Sequence, residues 1–367
     1  MLQSPKRPDY ILLGVCIALM ILGILILSSV SSSVSQQKFG TSFYFLRHQL
    51  IFGFLPGLIA GFVAFKTELS FLKKLAPFFL FISLILMVIV LFPKITGQTK
   101  ATVRWLDLGP VSFQPAEFLK ISLIFYWASW LSSKTEKTKN PNFSLLIFLI
   151  VMSIIGLFFV LQPDVSTFGV IFLVSLIIYF LAETPLWHTL LISLIAIAAL
   201  FLIIQLAPYR VERFVVFFNP EIDPMGLGYQ IKQALITIGS GGIFGTGPGL
   251  SKQRFGFLPE SMSDSIFAIF AEETGLTGSL ILVSLFLLFF WRVYKIIKSS
   301  KDNFSQFLAL GIGAWIILQA FINIGSMIGI LPLTGIPIPF ISYGGSALIS
   351  ALIGVGLLLN ISKQRGG

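Results

Sequence analysis

The 367 residues are 56% hydrophobic and only 11% charged, include 38 phenylalanines and carry a formal net charge of +10. Such a composition excludes a water-soluble domain, whose surface could not hold that much apolar area. It also makes the basic excess a question of where it falls between membrane spans, with no nucleic-acid partner implied. The single cysteine, Cys16, excludes an intramolecular disulfide and a cluster of thiolate metal ligands.

Ten apolar runs approach the roughly 20 residues that a membrane-crossing helix needs. They fall at residues 10–30, 48–65, 75–93, 115–131, 144–161, 165–182, 186–206, 264–291, 304–331 and 341–361. The predicted fold is all-α, a polytopic integral membrane protein of about ten transmembrane helices forming one domain over residues 1–367. The first run, behind Lys6 and Arg7, is too long for a cleaved signal core and is expected to remain as a span. Basic residues then set the orientation. With the N-terminus in the cytoplasm, the inner side gathers Lys6, Arg7, Lys66, Lys73, Lys74, Lys134, Lys137, Lys139, Arg292, Lys295, Lys298, Lys301, Lys363 and Arg365, so both termini are placed there.

That orientation sends segments 31–47, 94–114, 207–263 and 332–340 to the outer side. The third is a long extracellular loop between helices 7 and 8, far longer than a connector needs, and is the expected catalytic segment. The inner loops are short and lysine-rich, as suits an anionic leaflet, and leave no room for a nucleotide-binding domain. The glycine run from Gly239 to Gly249 superficially suggests a phosphate loop, but it lacks the Gly-Lys-Ser/Thr ending and a preceding strand. Its expected role is a hinge or a close packing of backbone.

Ionisable residues in or beside apolar runs are costly there and become functional candidates. Five acids qualify, namely Glu117, Asp164, Asp264, Glu272 and Glu273. Glu117 and Lys120 lie three apart on the fourth run and share a helix face, either as a structural ion pair or as a substrate contact. Asp164, after Gln162-Pro163, suits a helix cap. Asp264 suits the same role, with Ser263 before it, yet it ends the long polar loop where a general base would stand. Glu272 and Glu273 follow about 12–13 Å further along the helix axis at 1.5 Å per residue. That separation is too large for a paired-carboxylate mechanism on this helix alone.

The outer arginines are Arg47 at the mouth of the second run, Arg104 in Arg104-Trp105-Leu106-Asp107, and Arg210 and Arg213 in Tyr209-Arg210-Val211-Glu212-Arg213-Phe214. Planar guanidinium donors match the oxygens of a lipid diphosphate. A single interfacial arginine usually only snorkels, so the functional signal would be the convergence of three or four.

Several blocks occur in order: Phe113-Gln114-Pro115-Ala116-Glu117-Phe118-Leu119-Lys120; Gln162-Pro163-Asp164; Phe218-Asn219-Pro220 with Gly228-Tyr229-Gln230; Leu258-Pro259-Glu260 through Asp264-Ser265-Ile266-Phe267-Ala268; Ala271-Glu272-Glu273-Thr274-Gly275; and Pro337-Ile338-Pro339-Phe340-Ile341-Ser342-Tyr343-Gly344-Gly345-Ser346. Together they resemble the signature of the SEDS family over nearly the whole chain, from about Arg47 to Asn360. The resemblance implies the SEDS fold and a peptidoglycan glycosyltransferase that polymerises lipid II into a growing glycan strand. The reaction would take place on the outer face of the bacterial cytoplasmic membrane, beside a class B penicillin-binding protein that supplies the transpeptidase.

By the same resemblance the family's essential aspartate falls on Asp264, its glutamate and lysine on Glu117 and Lys120, its Gln-Pro-Asp acid on Asp164, and its arginines on Arg47 and Arg104. Glu260 and Ser263, within the aspartate's block, are expected to touch substrate. The chain departs from the family pattern at Met262-Ser263 and at Ser265, and neither change removes a group that the chemistry needs.

The expected mechanism makes Asp264 the general base for attack on the lipid-linked sugar, with undecaprenyl diphosphate leaving. Arg47, Arg104, Arg210, Arg213 and Lys120 are the candidates to stabilise its charge. A divalent cation such as magnesium or manganese could share that task, although the sequence offers no dedicated ligand cluster. Leu258-Pro259-Glu260 and Gly109-Pro110-Val111-Ser112-Phe113 lean towards the division branch over the elongation branch. Two other classes stand beside this reading: a lipid flippase or transporter, and a non-catalytic scaffold that activates a cell-wall synthase.

Overall fold

The computed structural model describes residues 7–92, 104–107, 109, 111–133, 141–205, 208–251 and 258–363. Within them the chain is almost wholly helical, as its apolar runs require of backbone removed from water. The helices are α1 (Tyr10–Phe39), α2 (Tyr44–Lys66, with a π-helical stretch at Leu50–Phe54), α3 (Leu69–Val90), α4 (Pro115–Leu131), α5 (Pro141–Leu161) and α6 (Val165–Leu181). They continue with α7 (Leu186–Gln205), α8 (Pro208–Phe218), α9 (Leu227–Ser240), α10 (Ile266–Ser299), α11 (Asn303–Met327) and α12 (Gly345–Lys363). A two-stranded antiparallel hairpin, Leu106–Asp107 with Ser112–Phe113, precedes α4.

Each of the ten expected runs falls on one of these helices, and seven helices are long and apolar enough to cross a membrane. The chain is an integral membrane protein. Helix α4 is shorter and carries the charged pair Glu117 and Lys120, while α6 and the first part of α7 are shorter apolar helices. Local sequence sets the ends. Asp9 caps α1 by accepting from the Leu12 amide at 3.0 Å, Asp302 caps α11 by accepting from Ser305 at 2.9 Å, and Pro115 opens α4, where a missing N–H costs nothing.

Helices α11 and α12 form the centre. Their apolar windows are 67% and 78% buried, against 22% for α2 and 28% for α3, whose outward sides are left to lipid. Helix α12 packs along α2, α3 packs along α4, and α11 packs against α10, α4 and α6.

The expected outer loop is largely ordered structure. It holds α8, α9 and the glycine run, which folds back against α10 where that helix breaks at Gly275 (φ 68°, ψ −164°). Thr246 and Gly247 amides donate to the Glu272 and Glu273 carbonyls at 2.9 and 3.1 Å, and Leu276 and Thr277 amides donate to Gly242 and Ile243 at 3.0 and 3.1 Å. The break would otherwise strand these groups inside an apolar bundle. A Cβ at Gly245 or Gly275 would collide with the backbone of the opposing segment, and both residues have positive φ, which explains the glycines. The run is therefore a close packing of backbone, and the amides of Gly245, Thr246 and Gly247 are already committed to carbonyls instead of to a phosphate.

At the far end of α10 the structure corrects the reading of Arg292 as a loop anchor. It is buried, and its guanidinium donates to both Asp9 carboxylate oxygens at 3.2 and 2.6 Å, while the Asp9 amide donates to Ser362 at 3.0 Å. The beginning of α1, α10 and the end of α12 are thereby clamped together.

Candidate active site

Asp264 lies in a compact turn just before α10. Glu260 adopts a left-handed conformation (φ 49°) and its carbonyl accepts the amides of Ser263 and Ser265, each at 3.1 Å. Because α10 begins only at Ile266, with Ser265 at its cap, Asp264 stands outside the helix and does not serve as its cap. Three consecutive carbonyls of this turn are held from elsewhere. The Tyr343 amide donates to Met262 at 2.9 Å, the Ser342 hydroxyl to Ser263 at 2.6 Å, and the Asn323 side-chain amide to Asp264 at 2.8 Å.

The Asp264 carboxylate borders a cavity of about 730 Å³, within the range of small-molecule sites. Its walls come from α2, the hairpin, the starts of α4 and α6, the end of α7, α8, α11, and the extended stretch 332–337 with the following turn at 343–347. Leu200 and Ile204 of α7 give one side an apolar lining. Gly335, at φ 70°, lies so close that an added Cβ would sit 3.4 Å from an Asp264 carboxylate oxygen. Burial pushes the Asp264 carboxyl above its ordinary value. The Ser263 hydrogen bond lowers it again, the Glu260 charge raises it, and the Arg213 guanidinium pulls it down.

The cavity brings together Arg104, Glu117, Lys120, Asp164, Arg213, Glu260, Ser263 and Asp264. Arg104 donates to the Gln162 and Pro163 carbonyls at 3.1 and 2.5 Å, with a nitrogen 4.0 Å from Asp164. Asp164 also caps α6, accepting from the Thr167 hydroxyl at 2.9 Å, so the cap and the cavity position belong to one residue. Arg213, on amphipathic α8, makes one long contact of 3.5 Å to the Leu333 carbonyl among the described residues. Ser263 donates to Glu260 at 2.8 Å.

Lys120 and Glu117 form a buried pair at 2.7 Å on the cavity floor. The Gln319 oxygen accepts from Lys120 at 2.9 Å, and the ammonium sits 5.0 Å from the Trp315 ring centroid. Its charge is thus already compensated, and the Glu117 Oε2 atom is buried without a hydrogen-bond partner among the described residues.

One expected residue stands elsewhere. Arg47 is exposed and does not line the cavity; its neighbour His48 does, one residue or about 100° further round the helix. His48 Nδ1 shares a 2.9 Å hydrogen bond with the Tyr343 hydroxyl, whose phenol burial and Tyr44 push up to about 12. The Arg210 side chain lies outside the described residues. Glu272 and Glu273 are buried away from the cavity, accepting hydrogen bonds from Ser251 and Ser29.

Counting lining residues, three cations (Arg104, Lys120, Arg213) face four carboxylates (Glu117, Asp164, Glu260, Asp264), a formal balance of −1 with His48 neutral. Among the described residues no three His, Cys, Asp or Glu side chains come together as a metal-ligand set, so the side chains present do not form a dedicated divalent-cation site.

A bundle of apolar helices enclosing a charged chamber, bordered by the loop-borne carboxylates of Glu260 and Asp264, defines a polytopic membrane protein with a polar site among its helices. Residues 10–366 match the family model FTSW_RODA_SPOVE, described as cell cycle protein. The chain is 37% identical over 98% of its length to the probable peptidoglycan glycosyltransferase FtsW of Nitrosococcus halophilus, covering 94% of that protein. It is 35% identical to stage V sporulation protein E of Bacillus subtilis, with 99% of both covered. A chain from a solved structure concerning polymerization and crosslinking by a peptidoglycan synthase complex superposes with a TM-score of 0.77 at 25% identity, with 98% of each chain covered. The protein belongs to the FtsW/RodA/SpoVE family.

Proposed function

We propose that this chain is a peptidoglycan glycosyltransferase that polymerises lipid II, with Asp264 as its general base. The observation that carries the reading is a carboxylate with a raised proton affinity, set outside any helix, bordering a cavity that also holds Arg104 and Arg213. Asp264 takes the proton from the 4-hydroxyl of the acceptor N-acetylglucosamine. The freed oxygen attacks the anomeric carbon of the donor muramyl sugar, inverting it as the bond to the diphosphate breaks and undecaprenyl diphosphate departs. The broken phosphate linkage supplies the driving force, so no nucleotide enters.

Arg213, and next to it Arg104, meet the charge growing on the leaving group. The buried Lys120–Glu117 pair shapes the floor and acts on the diphosphate only at a distance.

The same reading places the protein in the bacterial cytoplasmic membrane with both termini inside and the cavity facing outward. This is supported by the lysines and arginines that fall at the opposite end of the helices from Asp264. A class B penicillin-binding protein is the proposed partner, and the likeness to a chain of a peptidoglycan synthase complex supports it. The resemblance to FtsW and to the sporulation protein favours the division branch, which midcell localisation of a tagged protein would test.

The experiment for the activity is purified protein in liposomes supplied with lipid II. Glycan chains resolved on a gel are the expected product. Lipid II moved across the bilayer without polymer would instead support a flippase, and neither outcome without a partner synthase, but activation when one is added, would support a scaffold.

A further inference from the structure

Gln319 and Asn323 stand one turn apart on α11, both buried, and each ties together two parts of the cavity. The Asn323 amide nitrogen donates to the Asp264 carbonyl at 2.8 Å and to the Ile336 carbonyl at 2.6 Å. The Gln319 amide nitrogen donates to the Pro337 carbonyl at 2.8 Å, while its oxygen accepts from Lys120 at 2.9 Å and Trp315 at 2.7 Å. Ile336 and Pro337 are neighbours, and Gly335 just before them lies against the Asp264 carboxylate.

The two carboxamides therefore grip one piece of cavity wall side by side. Their remaining bonds reach the turn of Asp264 on one side and Lys120 on the other. The Asn323 oxygen is buried with no partner among the described residues, a cost that a leucine of similar size would avoid. What the asparagine supplies in return is its nitrogen.

We propose that Asn323 and Gln319 are positioning residues that hold the Asp264 turn and Lys120 in one register across the cavity, through the shared segment 336–337. The proposal rests on the base role given to Asp264 above. It does not require either carboxamide to touch substrate. Displacing a reacting group by about 1 Å costs roughly 10²-fold in rate, which sets the scale of the effect.

The test measures lipid II polymerisation by Asn323→Leu, in full-length protein whose folded fraction is fixed by thermal unfolding in detergent. Asp264→Asn is assayed alongside. We expect kcat per folded molecule to fall roughly 10²-fold with KM little changed. The acid limb of the pH–rate profile should also move to lower pH, because a loosened Asp264 gains water and feels Glu260 less, and these outweigh the weaker pull of Arg213 in the opposite direction. Gln319→Leu should lower kcat as well, and the double variant should lose less than the product of the two single losses, since both act through one segment.

A folded Asn323→Leu with unchanged kcat and an unmoved acid limb overturns the proposal. So does a loss explained wholly by the unfolded fraction. If that variant does not fold, Asn323→Ser, which keeps one donor, is read in the same way. Full activity in Asp264→Asn would overturn the base assignment and the proposal with it, whereas an inactive Asp264→Asn beside an unaffected Asn323→Leu would overturn the proposal alone.

Discussion

Among the described residues two ion pairs are buried, and they differ in what surrounds them. Arg292 meets Asp9 through two hydrogen bonds, and the same aspartate caps α1, so the pair is closed on itself and ties three helices together. Lys120 meets Glu117 through one, shares its ammonium with Gln319, leaves a carboxylate oxygen with no partner among the described residues, and borders a cavity of about 730 Å³. The first pair closes a joint; the second stands open beside the place where substrate must enter. Burial of charge alone does not mark function, since both pairs have it. What separates them is incomplete local satisfaction next to a void.

Removing both members of each pair should separate the two most strongly. Glu117→Gln with Lys120→Met should leave the fold intact but cost roughly 10²-fold in polymerisation rate, as loss of a preorganised electrostatic group does. Asp9→Asn with Arg292→Leu should keep near-normal rates per folded molecule. Equal losses of activity in the two double variants would dissolve the distinction.

Single deletions come next. Arg292→Leu removes two hydrogen bonds from the buried Asp9 carboxylate and should destabilise by up to about 3–5 kcal/mol, read as a lower midpoint of thermal unfolding. The glycine crossing supplies a third comparison, a site without charge. Gly245→Ala forces a Cβ into the Glu273 backbone and should cost about 1–3 kcal/mol of stability, with turnover per folded molecule unchanged.

The smallest expected effects are on pH dependence. Burial raises the proton affinity of Asp264, so the acid limb of the rate profile should lie above the ordinary carboxylate value near 4. Removing a cation that lowers this affinity, Arg213→Gln, should move the limb to higher pH; removing an anion that raises it, Glu260→Gln, should move it to lower pH.

Much of this is legible in the sequence. The apolar runs gave the helices because a span must be long and nearly uncharged, and the acids that interrupt them stood out for the same reason. Glu117, Asp164 and Asp264 indeed meet at one cavity. What stayed hidden depended on registers and long-range partners. Arg47 and His48 are adjacent in sequence, yet a turn of about 100° per residue puts only His48 in the cavity. Arg292 looked like one more lysine-rich loop cation because its partner lies 283 positions away.

Gln319 and Asn323 carry no charge and sit in a run that is apolar all round, so hydropathy passes over them. Their four-residue spacing was the available signal. The sequence reads residues 207–263 as one long loop, but α8 within it is an amphipathic helix, with Glu212 and Arg213 set among valines and phenylalanines.

In the proposed mechanism Asp264 removes the proton from the attacking hydroxyl. Its most direct test is the initial rate of lipid II polymerisation by purified Asp264→Asn, with folding verified by an unfolding midpoint equal to that of the unmodified protein. A fall of roughly 10²–10⁴-fold, the contribution of a general base, is the predicted result. A folded Asp264→Asn that polymerises at the full rate would contradict the account.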